Sequence, residues 1–592
     1  MMNSAGERSS EARLIGHIDG IRQRRLVGWL ARRTGGTAFE EGIPFRVVVD
    51  GLVVATDCVA NIHRRDVAAA GFGSGRSGFA VSLPSHFLDG ATHAVEILTD
   101  GGDSLSAAVE FPTPLTASQR EFFVEEASSR QITGWLIEPG QQRAVVEMVA
   151  DGEVIAQAYA TISRPDVATA KGVRDCGFVL VSPLRARSTA VTELALRVRG
   201  DQTPLKRITT PPLHTPKVVF VANAENEADG SRIYRAQLAS KQLTASGIES
   251  SVVPEKQAFE TVGAEGWPPK SSDVIVFQRV PGHPTAKKAL NLARARGILC
   301  LYDVDDLMFK SWRREEMGVI RSGKIKLSDK GHVDSVESRL NLMMECDGVI
   351  CSTSYLQREV RNLGLPAILS RNAVEDAVFS VGAARLANGR ADDDRCRILF
   401  MSGSETHDAD FATVEHVLHE ILVENPNARL TLLGNLRATR LDLLPNVRRK
   451  ALVPRETMFS VIANHDVVLA PLERSGFNTA KSSLKFIESA SVGVPVVASP
   501  LYEFKRDIGN SDGGIIAHDG RQWKSAIEMF IRAPGRTFEY GERAFKYAIR
   551  NYSLSSRDGF LWSEICRLDA HVRRRRFEVR SAGYAALDRY FR

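Results

Sequence analysis

The 592-residue sequence has little of what would mark a metal protein, a disulfide scaffold, a membrane span or a nucleic-acid binder. Its seven cysteines (58, 176, 300, 346, 351, 396, 566) are odd in number and mostly far apart, with no Cys-x-x-Cys or Cys/His cluster at metal spacing. Most lie in apolar runs such as ILCLYD and GVICST, where cysteine reads as a small buried hydrophobe. No run approaches 18 apolar residues, so no transmembrane helix is expected. The N-terminus has no apolar core of a secretory signal. Neither charge sign dominates: 77 basic against 71 acidic residues leave +6, too small a surplus to argue for nucleic acid. With 43% hydrophobic and 25% charged residues, 46 Gly and 24 Pro, the chain is neither collagen-like, coiled-coil nor wholly disordered. These absences leave a cytoplasmic, reduced, metal-poor protein of about four domains, at roughly 150 residues each.

What is present first is an internal repeat. LVGWLARR around Trp29 returns as ITGWLIEP around Trp135. Each is followed by an alternating strand ending in Asp-Gly (Asp50-Gly51, Asp151-Gly152), a second strand, an Arg-x-Asp-Val segment (Asp66, Asp166) and a Gly-Phe strand (Gly78, Gly177). Short alternating runs joined by Asp-Gly turns predict hairpins, so residues 12–110 and 120–208 are read as two small β-sandwich-like repeats. The tryptophans read as core packing or as sugar-stacking rings, and the Arg-Asp pairs as turn-fixing ion pairs.

A Pro-rich stretch, TTPPLHTPK (209–217), ends this region, and the texture then changes. KVVFVANA, SDVIVFQRV, GILCLYDVDD and DGVICST are continuous apolar strands separated by helical patterns. After the polar stretch 387–397 the alternation restarts with RILFMSGS, ARLTLLGN, HDVVLAPL, VGVPVVASP and GGIIAHD. Such alternation predicts parallel sheets covered on both faces. Residues 217–385 and 396–560 are read as two Rossmann-like halves facing a cleft, followed by a basic helix or tail over 561–592. Ligands are expected beyond the carboxyl ends of the strands.

FNTAKSSLKFIESASVGVPVVAS (477–499) carries the most chemistry. Asn478 or Thr479 is expected to cap a helix from about Ala480 to Ser491, which Gly493 and Pro495 end. Lys481, Lys485 and Glu488 then share one face, and the two lysines repel by about 0.2–0.5 kcal/mol on a bare helix. An anion would reverse that sign, and Ser482 and Ser483 add hydroxyls near an N-terminus that favours phosphate. The alternative is a solvated face on which Glu488 pairs Lys485.

This segment resembles the donor-binding helix of family 4 glycosyltransferases, retaining enzymes of the two-Rossmann GT-B fold; Glu488, Gly493, Pro495, Val496, Val497 and Ala498 match its pattern. The resemblance, over about 217–535, implies that Glu488 holds the ribose of a nucleotide sugar. The family's paired Glu falls on Ala480, so half of that signature is missing. The turn Ser402–Asp408 also has no diphosphate cation, which leaves Gly403 and Ser404 to offer N–H groups and Lys481 and Lys485 to replace the cations. Asn435 and Asn478 complete the expected donor site. In the first half, the resemblance places Gly230, Ser231 and Arg232 near the donor phosphate, with Arg235 a turn further on. LYDVDDLMF (301–309) resembles a Tyr-Asp-x-Asp-Asp signature of a bacterial subset of these transferases. Asp303-Val304-Asp305 reads either as an Asp-x-Asp metal motif or as helix capping, and no metal site is assigned.

No nucleophile is legible; His283, Arg279 and His407 are weak catalytic candidates. The resemblance implies sugar transfer with retention to a glycan or lipid-linked acceptor in bacterial surface polysaccharide or glycoconjugate synthesis. The nucleotide sugar serves as co-substrate and no further cofactor is expected. Arg573–Arg576 form a basic run suited to peripheral contact with an anionic membrane. The competing readings are a non-catalytic nucleotide-sugar binder with a degenerate site, or an interaction protein working through its N-terminal repeats.

Overall fold

The computed structural model describes residues 13–590 apart from 23–24, 36–37, 84–89, 112–119, 128–130, 140–142, 185–193, 202, 209–214, 225, 264–265, 390–392, 404–406 and 438. Most of the expected Pro-rich linker thus lies outside the described residues. The chain divides into two compact units, residues 1–182 with 191–211, and residues 183–190 with 212–592.

In the first unit, alternating strands pair into antiparallel sheets. Arg13–Arg22, Arg25–Gly35, Arg76–Ser82 and Ile62–His63 lie side by side, and Leu52–Ala60, Ile43–Val49, Thr92–Thr99 and Ser104–Glu110 form a second sheet. The same order recurs further on as Glu121–Ala127, Gln131–Ile137, Asp175–Val181, Ile162–Ser163 and as Glu153–Tyr159, Val145–Ala150, Leu194–Val198, Lys206–Ile208. Inward residues of each sheet pair make one apolar core, including Leu26, Phe45 and Phe79 in one and Ile132, Val146 and Phe178 in the other. Both Asp-Gly turns have two left-handed residues, φ 49° and 82° at Asp50-Gly51 and φ 49° and 88° at Asp151-Gly152, the backbone that joins twisted strands tightly. The tryptophans serve packing: Trp29 lies 5.0 Å from Phe72, and Trp135 packs beside Val167 and Cys176. Gly134 precedes Trp135 because a Cβ there would come 2.1 Å from the Phe123 carbonyl. Arg64 holds Asp66 at 2.6 Å and Arg164 holds Asp166 at 2.5 Å, fixing each turn.

In the second unit, the continuous apolar strands build two six-stranded parallel sheets. The first runs Glu249–Pro254, Lys217–Ala222, Val274–Gln278, Leu299–Val304, Gly348–Cys351, Ala367–Leu369. The second runs Val447–Lys450, Ala428–Gly434, Cys396–Ser402, Val467–Ala470, Val496–Ala498, Gly514–Ile516. Helices cover both faces, which is why Phe220, Phe277, Phe400 and Leu469 have no exposed surface. An antiparallel β-rich region followed by two parallel α/β sheets is the fold class expected from the sequence, with the second unit laid out as a GT-B pair.

One boundary differs from the sequence reading. The helix Asp376–Asn388, assigned there to the first half, buries Phe379 in the core of the second half beside Ala490 and Val492. Of the two forms expected for the last segment, helix or tail, residues 561–590 take the helix. They belong to the helix Phe560–Tyr590, whose Leu561, Ile565, Leu568 and Val572 pack with Val218 and Phe220 of the first half. Three of its four consecutive arginines hold carboxylates: Arg573 on Asp569 and Arg574 on Glu578, each at 2.8 Å, and Arg576 on Asp347. No helix among the described residues is long and apolar enough to cross a membrane.

Candidate functional site

In the second sheet, the first strand (Cys396–Ser402) lies between the second (Ala428–Gly434) and the fourth (Val467–Ala470). Connections leave in opposite directions from this point, which opens a crevice beyond the strand ends. Around it stand Gly403, His407, Asp410, Asn478, Lys481, Lys485 and Glu488.

The expected helix is interrupted. A short helix, Gly476–Thr479, is capped by Ser475, whose hydroxyl accepts from the Asn478 N–H at 3.0 Å. The main helix begins only at Leu484 and runs to Ser491, with no side chain capping its N-terminus. Asn478 and Thr479 are therefore inside a preceding turn rather than caps, and Lys481 lies before the helix that bears Lys485 and Glu488. The two serines are committed elsewhere: Ser482 Oγ accepts from Asn372 Nδ2 at 3.1 Å, and Ser483 Oγ donates to the buried Asp507.

Lys485 carries unmet chemistry within this segment. Its Nζ is buried with no hydrogen-bond acceptor among the described residues, 4.8 Å from the centre of the Phe400 ring. Desolvation, partly offset by Asp410 and reinforced by Lys481, pulls the ammonium pKa down to about 8. A ring face compensates only a small part of a buried charge, whereas an anionic ligand oxygen would compensate most of it. Lys481 is half-buried, its Nζ 5.6 Å from the Phe477 ring.

Asp410, which sequence reading missed, organises the rest. Its Oδ1 accepts from Asn478 Nδ2 and from the Glu473 N–H, both at 2.9 Å, and its Oδ2 lies 2.8 Å from His407 Nδ1. Burial pushes its pKa up, but the His407 bond and Lys481 outweigh this, and the carboxyl titrates below its usual range. Burial and the two lysines hold His407 below its ordinary value despite Asp410. A neutral His407 with its proton on Nδ1 presents Nε2 as an acceptor, suited to a sugar hydroxyl and not to a phosphate oxygen. The i, i+3 spacing of His407 and Asp410 at a helix start was the signal available. Asn435 is exposed and ties two strand ends, with Nδ2 3.4 Å from the Gly403 carbonyl. Ser404 lies outside the described residues.

The first half is arranged otherwise. Asp229 caps the helix start at Gly230, its Oδ1 accepting from the N–H groups of Ser231 (2.9 Å) and Arg232 (3.2 Å) and from the Ser231 hydroxyl. A carboxylate thus occupies the N–H groups expected to meet phosphate, and Arg232 is buried against Glu227 and the Ala224 carbonyl. His283 accepts the Ala286 N–H on Nδ1, so its proton is on Nε2, 2.7 Å from Glu255. Both nitrogens are engaged, Nδ1 in capping the helix Pro284–Ala295 and Nε2 with Glu255, which argues against catalysis. Arg279 pairs with Asp305 and Asp306, and Arg235 grips both oxygens of Asp303 at 3.0 and 2.7 Å. The acidic signature is therefore held in ion pairs, and Arg279 serves as a counter-charge.

The halves meet along the segment 477–488. Phe477 and Ala480 pack into the apolar core of the first half, and the Ala480 carbonyl accepts from Thr353 Oγ1 at 3.0 Å. Tyr234 of the first half donates its hydroxyl to Glu488 Oε1 at 2.5 Å.

Residues 395–532 match the family model described as glycosyl transferases group 1. No curated protein matches the chain by sequence. Among solved structures it is similar to HepE of Anabaena in complex with UDP and glucose (13% identity, 59% of this chain and 99% of that chain, TM-score 0.43). It is also similar to sucrose-phosphate synthase of Thermosynechococcus elongatus (15%, 63% and 100%, 0.41) and to S. aureus TarM (11%, 80% and 77%, 0.37). The crevice residues from Gly403 to Glu488 all fall within the stretch matched by the group 1 glycosyl transferase model.

Proposed function

We propose that the chain is a retaining glycosyltransferase that moves a sugar from a nucleotide-sugar donor to a glycan or lipid-linked acceptor in surface polysaccharide or glycoconjugate synthesis. The observation that carries this is the buried Lys485 ammonium, without a hydrogen-bond acceptor among the described residues, at the sheet's switch point and inside the segment matching group 1 glycosyl transferases. In this reading Lys485 and Lys481 receive the diphosphate, Glu488 receives the ribose and His407 Nε2 accepts a hydroxyl of the transferred sugar. Stabilising charge on the departing diphosphate is the main catalytic contribution, because it grows in the transition state. Arg575 is exposed and is the member of the basic run without a carboxylate partner among the described residues, so its charge is offered to an anionic surface. Incubation with a panel of nucleotide sugars tests the proposal: turnover of at least one donor is expected, and its loss in Lys485→Met.

One observation favours a second reading. Ala480 has no exposed surface and its carbonyl is engaged, so that position supplies no carboxylate to a sugar. A non-catalytic nucleotide-sugar binder would bind donors in the same panel without turning any over.

A further inference from the structure

From the contact between the two halves we infer that Tyr234 is a positioning residue for the donor ribose, holding Glu488 by one oxygen so that the other receives the sugar hydroxyls. This rests on the assignment of Glu488 to the ribose. Tyr234 and Glu488 are 6% and 8% exposed, and the Tyr234 hydroxyl reaches Oε1 at 2.5 Å. Oε2 has no hydrogen-bond partner among the described residues and is not among their buried unpaired atoms. A carboxylate held by one oxygen has lost its rotation, and a vicinal diol then meets a fixed acceptor. Tyr234 is itself held. It sits in a π-helical turn, Ile233–Gln237, of the kind often found where a helix serves a site. The Arg455 guanidinium lies 5.1 Å from its ring centre. Arg455 pairs with Glu375 at 2.7 Å, and Glu375 with Lys241 at 3.0 Å, returning the network to the helical segment that carries Tyr234.

The consequence is a specificity. The first half, expected to handle the acceptor, completes the ribose contact of the second, so preference for a ribonucleotide over its deoxy counterpart depends on the two halves being together. Hydrogen bonds to a charged carboxylate are worth enough that removing both hydroxyls lowers affinity about tenfold or more.

The test uses the full chain and isothermal titration with ADP, GDP and UDP, the tightest being compared with its 2′,3′-dideoxy analogue. The wild type is expected to prefer the ribonucleotide by about tenfold or more. Glu488→Gln is expected to abolish the preference, Tyr234→Phe to reduce it severalfold, and Tyr234→Gln, which restores a donor to Oε1, to recover part of it. Thermal unfolding confirms that each variant is folded. Tyr234→Phe deletes one oxygen and keeps the ring beside Arg455. If Glu488→Gln abolishes the preference and Tyr234→Phe leaves it whole, the positioning role is wrong and the ribose assignment stands. If the wild type shows no preference, or Glu488→Gln retains it, the ribose assignment fails and the inference fails with it.

Discussion

The two parallel sheets of the second unit end in opposite electrostatic states. At the strand ends of the first, the acidic signature and the helix start are partnered inside the chain: Asp303 with Arg235, Asp305 and Asp306 with Arg279, and the helix start at Gly230 with Asp229. At the ends of the second, Asp410 is shared by His407, Asn478 and the Glu473 N–H, and Lys485 has no partner among the described residues. Similar folds carry both, so the difference is not architectural. Paired charges hold a structure in place, and an unpaired buried cation costs stability that a ligand can return.

The largest effect should come from breaking the paired side. Arg235→Ala leaves Asp303 buried with no counter-charge on either oxygen, and the unfolding free energy by denaturant titration should fall by about 3–5 kcal/mol. On the unpaired side, Lys485→Met should cut donor turnover by about 100- to 1,000-fold while leaving the ligand-free protein no less stable. An equal loss of stability in both variants would dissolve the contrast.

Acidity should sharpen it. Lys485 titrates at about 8 in the folded chain against an ordinary 10.5, so above about pH 8 the ammonium is lost. Nucleoside diphosphate affinity should then weaken as pH rises through that value in the wild type, and the limb should be absent in Lys485→Met. Stability moves the other way. The unfolded chain holds this proton more tightly, so the Lys485 contribution to stability rises between about pH 8 and 10.5. The smallest effect is expected of Lys481→Ala: affinity about two- to fivefold weaker, as for a partly exposed ionic contact. Its affinity limb should shift to higher pH, because Lys481 helps to depress Lys485. Titration calorimetry across pH measures both limbs.

Features governed by local spacing were legible in the sequence. Asp-Gly between alternating runs makes the two hairpins, and continuous apolar strands make the two parallel sheets. Lys485 and Glu488 were legible as site candidates by type and position. Features decided by distant packing were not. The helix bearing Lys485 and Glu488 begins at Leu484 instead of Ala480 because Phe477 and Ala480 are drawn into the core of the other half and Ser483 is taken by Asp507. Tyr234 carries no motif; it enters the site through an approach between residues 254 positions apart. Gly230 to Arg232 read as a phosphate loop until Asp229, one residue earlier, is seen to fill it.

The return of the helix Phe560–Tyr590 to the first half also has a consequence for synthesis on the ribosome. Val218 and Phe220 of the opening strand pack with Leu561, Ile565 and Leu568, and the Leu184 N–H bonds Asp569 at 3.0 Å. Folding N-terminal part first, the usual order for a growing chain, can finish the repeats early but not this half. It must wait, with an apolar face uncovered, until some 340 further residues have emerged. The second half, whose strands span Cys396–Ile516, is made during that wait, so the later half of the crevice can form before the earlier one.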